Sequence, residues 1–163
     1  MVKKYFVTLG THPQQFNRLL EEIDRLFAQK KITGEAFAQT GHSDYVPKNY
    51  KWQKFMGLEE FEKKARRADI VITHAGEGNV GLCKNLGKKM IVAPRRREFG
   101  EHTNDHQLEL AQVVEGKSLG LVAWNPSELG EKIAQVETFA PAKIPKGKIP
   151  QILGKFVKEE LGW

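Results

Sequence analysis

Cysteine is all but absent from this chain of 163 residues: Cys83 stands alone. No internal disulfide can form, and such usage fits a reducing cytoplasm. Also missing is any apolar run near the roughly 18 residues that a membrane-spanning helix needs. The first ten residues, MVKKYFVTLG, lack a signal-peptide pattern and read as a strand that starts almost at once. No internal repeat or low-complexity segment interrupts the chain, and no aromatic-interleaved RNA-binding motif accompanies its charges. A hydrophobic content of 40% is ordinary for a soluble protein, and the length suits one domain with a real core. One imbalance remains, 26 basic against 20 acidic residues for a net charge of +6. Phosphates of a small ligand, nucleic acid and an anionic membrane face would all suit it, and charge alone does not choose among them.

Apolar runs bounded by glycine, proline or polar clusters predict strands at 5–9, 36–40, 52–56, 70–73, 90–93 and 119–124. Between them, apolar spacings of three and four predict helices. The first opens at His12 and Pro13, with Thr11 as cap, and runs to about Gln29, burying Phe16, Leu19, Leu20, Ile23, Leu26 and Phe27. Others cover 58–68, the segment after Asn79, 103–115, and 126–136 behind an Asn125 N-cap. Residues 43–50 read as loop, with Pro47 and Asn49 as breakers. This alternation argues for an α/β fold, a mostly parallel sheet covered on both faces. Residues 1–137 form the domain, while 138–149, carrying Pro141, Pro145 and three lysines, read as a connecting arm. Ile152, Leu153, Phe156, Val157, Leu161 and Trp163 then make an amphipathic terminal helix, packed on its own domain or docked on a partner.

The stretch 69–107 organises the rest: strand, Gly-rich turn, helix, strand, polar loop. Ligands of parallel α/β proteins bind at the carboxyl ends of strands, so this stretch reads as the holder of a nucleotide-sugar's diphosphate and sugar. In His74-Ala75-Gly76-Glu77-Gly78-Asn79, the glycines allow a tight turn whose N–H groups could cradle phosphate; the plain alternative is a turn needing glycine for packing. His74 could donate to a phosphate oxygen or satisfy a local carbonyl, and Glu77 should point outward. In Gly100–Gln107 (GEHTNDHQ), Asp105, His106 and Gln107 could read sugar hydroxyls. A metal site on His102 and His106, spaced i and i+4, is a rival there, without an obvious third ligand; a polar helix start is another. Arg95, Arg96 and Arg97 follow a strand's carboxyl end, where a guanidinium suits phosphate or carboxylate. The Gly10-Thr11-His12 loop shares that rim, as a helix N-terminus for an anion or as a simple cap. Cys83 reads as a small core residue.

Four runs occur together and in order: VTLGTHPQQFNRLLEEIDRL, QTGHSDYVPKNYKWQKF, ADIVITHAGEGN and PRRREFGEHTNDHQLELA. They resemble the small subunit of split bacterial polysaccharide glycosyltransferases of the PssE or CpsG type, within the glycosyltransferase family 28 C-terminal domain. More distant relatives are the C-terminal half of the peptidoglycan enzyme MurG and the small subunit of the dolichol-pathway N-acetylglucosaminyltransferase. The resemblance covers roughly residues 4–125. It implies the Rossmann-like, donor-binding C-terminal half of a GT-B enzyme, whose acceptor half is a separate membrane-associated subunit. It also implies diphosphate contacts from Gly76, Gly78 and Asn79, uracil read by the backbone at Phe55 and Met56, and sugar read by Asp105, His106 and Gln107. The Gly10-Thr11 loop would face the cleft between subunits. One departure stands out: the distant relatives' acidic ribose ligand is Leu82 here, which leaves the ribose contact unassigned, with Glu77 nearby.

The resemblance implies inverting transfer from a UDP-sugar to a polyprenyl-diphosphate-linked sugar in exopolysaccharide or capsule synthesis. No metal and no cofactor is expected, because helix N-termini and basic side chains would carry the charge of the leaving UDP. The acceptor's base would lie in the partner, with Glu101, His102 and His12 as in-chain possibilities. UDP-glucuronate is favoured over UDP-galactose by the three arginines, and the chain would sit in the cytoplasm, peripheral to the membrane through its partner. Two other readings stand beside this one: a non-catalytic enhancer subunit, kept alive by Leu82, and a nucleic-acid-binding domain supported by charge alone.

Overall fold

The structure, a computed structural model, describes residues 1–145 and 151. Six strands, β1 (Lys4–Thr8), β2 (Glu35–Gln39), β3 (Lys51–Gln53), β4 (Ile70–His74), β5 (Lys89–Ala93) and β6 (Leu121–Val122), form one sheet in the order β3-β2-β1-β4-β5-β6. Every pairing is parallel. Among the described residues five helices accompany it: α1 (Asn17–Ala28), α2 (Leu58–Arg67), α3 (Glu77–Asn85), α4 (His106–Gly116) and α5 (Leu129–Val136). Short 3-10 helices occupy Arg97–Phe99 and Pro126–Glu128. The expected alternation of strands and helices is the one found.

The strands are apolar on both faces because both are covered, as parallel sheets require. Along β4, Ile70 and Ile72 point into one core with α1 and α5, while Val71 points into a second with α2, α3 and α4. In β5, Ile91 and Ala93 join the first core, and Met90 and Val92 the second. The result is three layers.

Element ends differ from expectation where side chains take over backbone hydrogen bonds. The first helix starts at Asn17, not near His12. Residues 11–16 stay irregular because the Phe16 N–H donates to Ser43 Oγ (2.9 Å) and the Asn17 N–H to Gln15 Oε1 (2.8 Å). Thr11 therefore caps nothing, and no helix N-terminus stands at the end of β1. The helix expected from Thr103 begins at His106, its first N–H donating to Asn104 Oδ1 (3.1 Å). The last strand shrinks to two residues, and Asn125 provides no side-chain cap. Beyond α5 the arm stays on the domain: the Ala142 N–H donates to the Ser118 carbonyl (2.8 Å), Lys84 Nζ donates to the Ala142 carbonyl (2.7 Å), and Ile144 packs on the second core. The expected terminal helix from Ile152 lies outside the described residues. Among the described residues no helix is long and apolar enough to cross a membrane.

The loop at residues 45–49 is ordered by one buried carboxylate. Asp24, on the inner face of α1, accepts from Tyr45 Oη (2.7 Å), the Lys48 N–H (2.8 Å), the Asn49 N–H (2.8 Å) and Asn49 Nδ2 (2.8 Å). Burial alone would raise its pKa, but these four donors together outweigh it and hold the pKa below the ordinary carboxylate value. Asp24→Ala should therefore cost about 2–4 kcal/mol in urea unfolding at pH 7 by stranding buried donors. A depressed folded pKa stabilises above the unfolded value and is lost as pH falls through the folded one, so the gap between wild type and variant should close in acid. An equal gap at pH 7 and in acid would show that Asp24 does not hold the loop as its charged form.

Candidate functional site at the carboxyl ends of β1 and β4

β1 and β4 are neighbours, and the chain leaves β1 for α1 on one face of the sheet and β4 for α3 on the other. Such a switch point opens a crevice beyond the carboxyl ends of the two strands, here β1 and β4. All five histidines lie on this rim: His12 after β1, His42 after β2, His74 at the end of β4, and His102 and His106 after β5.

His74 is the centre of the rim. Its ring lies between two glycine backbones. A Cβ on Gly10, whose φ is +72°, would come within 2.6 Å of Nε2, and one on Gly76 within 2.3 Å of Cε1. Both glycines are thus required for room around the imidazole, which for Gly76 is the packing alternative given for this turn. Gly78 differs, since a Cβ there would meet nothing within 4 Å.

A chain of hydrogen bonds fixes the His74 tautomer. The backbone N–H of Arg95 donates to Gln107 Oε1 (3.0 Å), and an N–H can only donate. The other end of that amide is therefore the NH2, which donates to His74 Nδ1 (3.0 Å). Nδ1 is the acceptor, and the ring proton sits on Nε2, between Gly10 and Gly76. Burial, with the charge of Arg95 second, lowers the His74 pKa to about 3, so the ring stays neutral.

Several side chains expected to face a ligand serve this scaffold instead. Arg95 is buried: Nη2 donates to the Leu9 carbonyl (2.6 Å), and Nη1 to those of Gln14 (2.9 Å), Gln15 (3.2 Å) and Glu101 (3.0 Å). Burial lowers its pKa to about 10 while Glu101 pushes it up, so it remains a cation that ties β1 to the 95–101 loop and does not reach outward. Glu101, expected among the candidate bases, is fully buried; it holds Arg18 through Nε (2.5 Å) and Nη2 (3.0 Å) and the Arg96 N–H (2.9 Å). No acceptor hydroxyl can reach it. Gln107, expected on the sugar, spends both ends of its amide within the protein. Asn79, expected on the diphosphate, donates through Nδ2 to Thr73 Oγ1 (3.1 Å) and Thr8 Oγ1 (3.3 Å), which pins α3 to β4 and β1.

The remaining candidates stay at the surface of the rim. Asp105 is exposed, with Oδ1 accepting from the Arg97 N–H (3.0 Å). His106 is half-buried at the start of α4, and Thr11 and Glu77 are exposed. His12 and His102 stack, ring centroids 4.2 Å apart and planes 20° apart. Burial lowers both pKa values; the Arg95 charge adds to this at His12, and His12 itself adds to it at His102. The metal reading required His102 and His106 on one helical turn, but α4 starts only at His106. Among the described residues no group of three or more His, Cys, Asp or Glu side chains could hold a metal ion. Phe55 is exposed and edge-on to His42 (5.0 Å), its carbonyl taken by Gln53 Nε2 (2.8 Å), while Met56 packs on the second core. Leu82 also packs on that core, and Cys83 is buried in it, its thiol pushed up to about 12 by burial.

Sequence reasoning missed Arg18, Asp24 and Ser43. Asp24 was detectable, since it sits one turn from Leu20 within the apolar stripe of α1.

Two measurements test this arrangement. Side-chain nitrogen NMR should find His74 neutral, with the proton on Nε2, down to about pH 5, well below the usual histidine range. A titration midpoint near 6.5 would contradict its burial. Gly76→Ala should lower the melting temperature by several degrees because the imidazole must move, whereas Gly78→Ala, which gains at most about 1 kcal/mol of helix propensity, should leave it unchanged or raise it slightly.

Comparison with known proteins bears on the family and the fold. The family model of the glycosyltransferase family 28 C-terminal domain matches residues 5–159. The UDP-N-acetylglucosamine transferase subunit ALG13 of Homo sapiens is 27% identical over 122 residues, covering 69% of this chain and 10% of the relative. Its Mus musculus counterpart is 25% identical over the same length. The chain thus spans about a tenth of the length of these relatives. Among solved structures, the glycotransferase of kitacinnamycin superposes with a TM-score of 0.63 at 21% identity, over 93% of this chain and 37% of that one. Acinetobacter baumannii MurG gives 0.60 at 17% identity, over 85% and 42%. These likenesses show the fold, a Rossmann-like half of a GT-B glycosyltransferase. By the match along nearly its whole length, the chain belongs to the glycosyltransferase family 28 C-terminal domain family.

Proposed function

We propose that this chain is the donor-binding subunit of a two-subunit inverting glycosyltransferase, with UDP-sugar held in the crevice at β1 and β4. The observation that carries the reading is the neutral His74, its tautomer fixed at the switch point by Gln107 with Nε2–H between Gly10 and Gly76, where α3 begins with the open Gly78 in its first turn. A preorganised donor beside helix N–H groups can meet charge as it develops on a leaving diphosphate. An acceptor hydroxyl attacks the anomeric carbon, the bond to UDP breaks, and UDP departs with the electron pair. The hydroxyl's proton goes to a base, either in the partner or on His12 or His102, whose lowered pKa values keep them neutral. Glu101 is no longer a candidate.

The partner would be a membrane-associated acceptor subunit holding a polyprenyl-diphosphate sugar, and this chain would reach the cytoplasmic face of the membrane through it. That the human relative is a UDP-N-acetylglucosamine transferase subunit supports a hetero-oligomer. Of the three arginines that favoured UDP-glucuronate, Arg95 is buried and Arg96 donates to Glu98 and the Trp124 carbonyl. Arg97 is exposed, and its guanidinium has no partner among the described residues, so it is the candidate for the sugar's carboxylate. Asp105 and His106 remain for its hydroxyls. Leu82 on α3, where a ribose-binding acid would stand, favours a second reading, an enhancer subunit that stabilises the transferase and binds nucleotide poorly.

Calorimetry with UDP on the chain, alone and with the co-expressed partner, separates the two. The donor-binding reading expects binding that weakens at least about tenfold in Gly78→Ala, because the added methyl stands where phosphate approaches. Absence of UDP binding by both samples would support the enhancer. In the active complex, Arg97→Ala should lower kcat/KM for UDP-glucuronate but not for UDP-galactose; an equal loss on both would remove the carboxylate role.

A further inference from the structure

The opposite edge of the sheet carries a feature that the donor site does not use. A groove of about 730 Å³ runs beside α2 at the amino ends of β1, β2 and β3. Parallel register pairs Lys4 with Glu35, Phe6 with Phe37, and Phe37 with Lys51. Side chains two apart share a face, so Lys4, Phe37 and Lys51 all lie on the face that α2 covers. From α2 come Lys63, Lys64 and Arg67. Five cations thus line the groove against two carboxylates, Glu35 and Glu60.

Lys64 is engaged, 3.8 Å from Glu60 and 3.4 Å above the Phe37 ring. The charged ends of Lys4, Lys51, Lys63 and Arg67 have no partner among the described residues. Lys63 and Arg67 are one helical turn apart, a like-charged spacing that weakens a helix by a few tenths of a kcal/mol. Unpaired cations converging from a helix and two strands on a concave floor with an aromatic ring fit a compact, multiply charged anion better than a flat protein surface. Arginine and lysine together suit phosphate oxygens.

We propose that this amino-edge groove is a second anion site that takes clustered phosphate esters, from the headgroups of an anionic bilayer or from a soluble polyphosphate. Five-residue strands put it roughly 16 Å from the β1 and β4 crevice, so it neither rests on the donor-binding reading nor competes with it.

The test uses the full chain with two probes: inorganic pyrophosphate, and vesicles of phosphatidylcholine with or without about 30% phosphatidylglycerol. A soluble source predicts pyrophosphate shifts in the amides of Lys4, Phe37, Lys51 and Arg67. A bilayer source predicts co-flotation with the anionic vesicles alone. In either case Lys63→Gln/Arg67→Gln should weaken the response about tenfold or more, while Lys117→Gln/Lys132→Gln, equal in charge loss but elsewhere on the surface, should change it less than about twofold. Both substituted pairs are at the surface, and circular dichroism would show that they fold. The proposal is overturned if neither probe binds, if pyrophosphate shifts only the amides of Gly76 and Gly78, or if both double variants lose binding equally.

Discussion

The rim depends on a buried guanidinium. Arg95 gathers carbonyls from the end of β1, from the two residues that precede Phe16, and from the loop after β5. Taking a cation out of water is expensive; here four carbonyls accept from Nη1 and Nη2, Nε is left without a partner among the described residues, and the Glu101 carboxylate is close enough to favour the charged form. One residue thereby joins segments more than eighty positions apart in sequence. Its backbone N–H does a second job, since it decides which way the Gln107 amide turns.

From that orientation the chemistry of the crevice follows in two steps. Gln107 must donate to His74, and His74 must therefore keep its proton on the nitrogen that lies between the two glycines. A histidine in water would exchange tautomers and titrate near neutral pH; this one is held neutral with its donor fixed. Glu101 and Arg18 brace the same loop from the α1 side, and Asn79 braces α3 against the ends of β1 and β4. The polar residues of the rim therefore divide into a buried scaffold and an exposed remainder: Arg97, Asp105, the His12–His102 stack and the start of α3.

The fold was legible because its signals are local. Short β-branched runs ending in glycine or proline are strands buried on both faces, and the three-four spacing of α1 is visible without knowledge of its neighbours. The helices start later than Thr11 and Thr103 suggest, because cap residues look alike whether they cap a helix or order an irregular loop; the deciding acceptors are Ser43 Oγ, 27 residues from the Phe16 N–H it holds, and Asn104 Oδ1 beside His106. The polar residues of these motifs lie on the β1–β4 rim, and several of those expected to face a ligand bond within the protein. Arg95, Gln107 and Asn79 carry donors that serve a phosphate or a protein acceptor equally well, Glu101 carries an acceptor that serves a substrate hydroxyl or the Arg18 guanidinium equally well, and only burial distinguishes the two uses. For Arg95 a signal existed: continuing the alternation of Ile91 and Ala93 puts it on the α1 side of the sheet, towards the loop it holds.

The most direct test is a crystal structure of the chain with UDP. The account predicts a diphosphate oxygen within about 3.2 Å of His74 Nε2, with a second phosphate oxygen meeting the backbone N–H groups at the start of α3. A diphosphate bound elsewhere on the chain, with His74 Nε2 facing only protein or water, would contradict it.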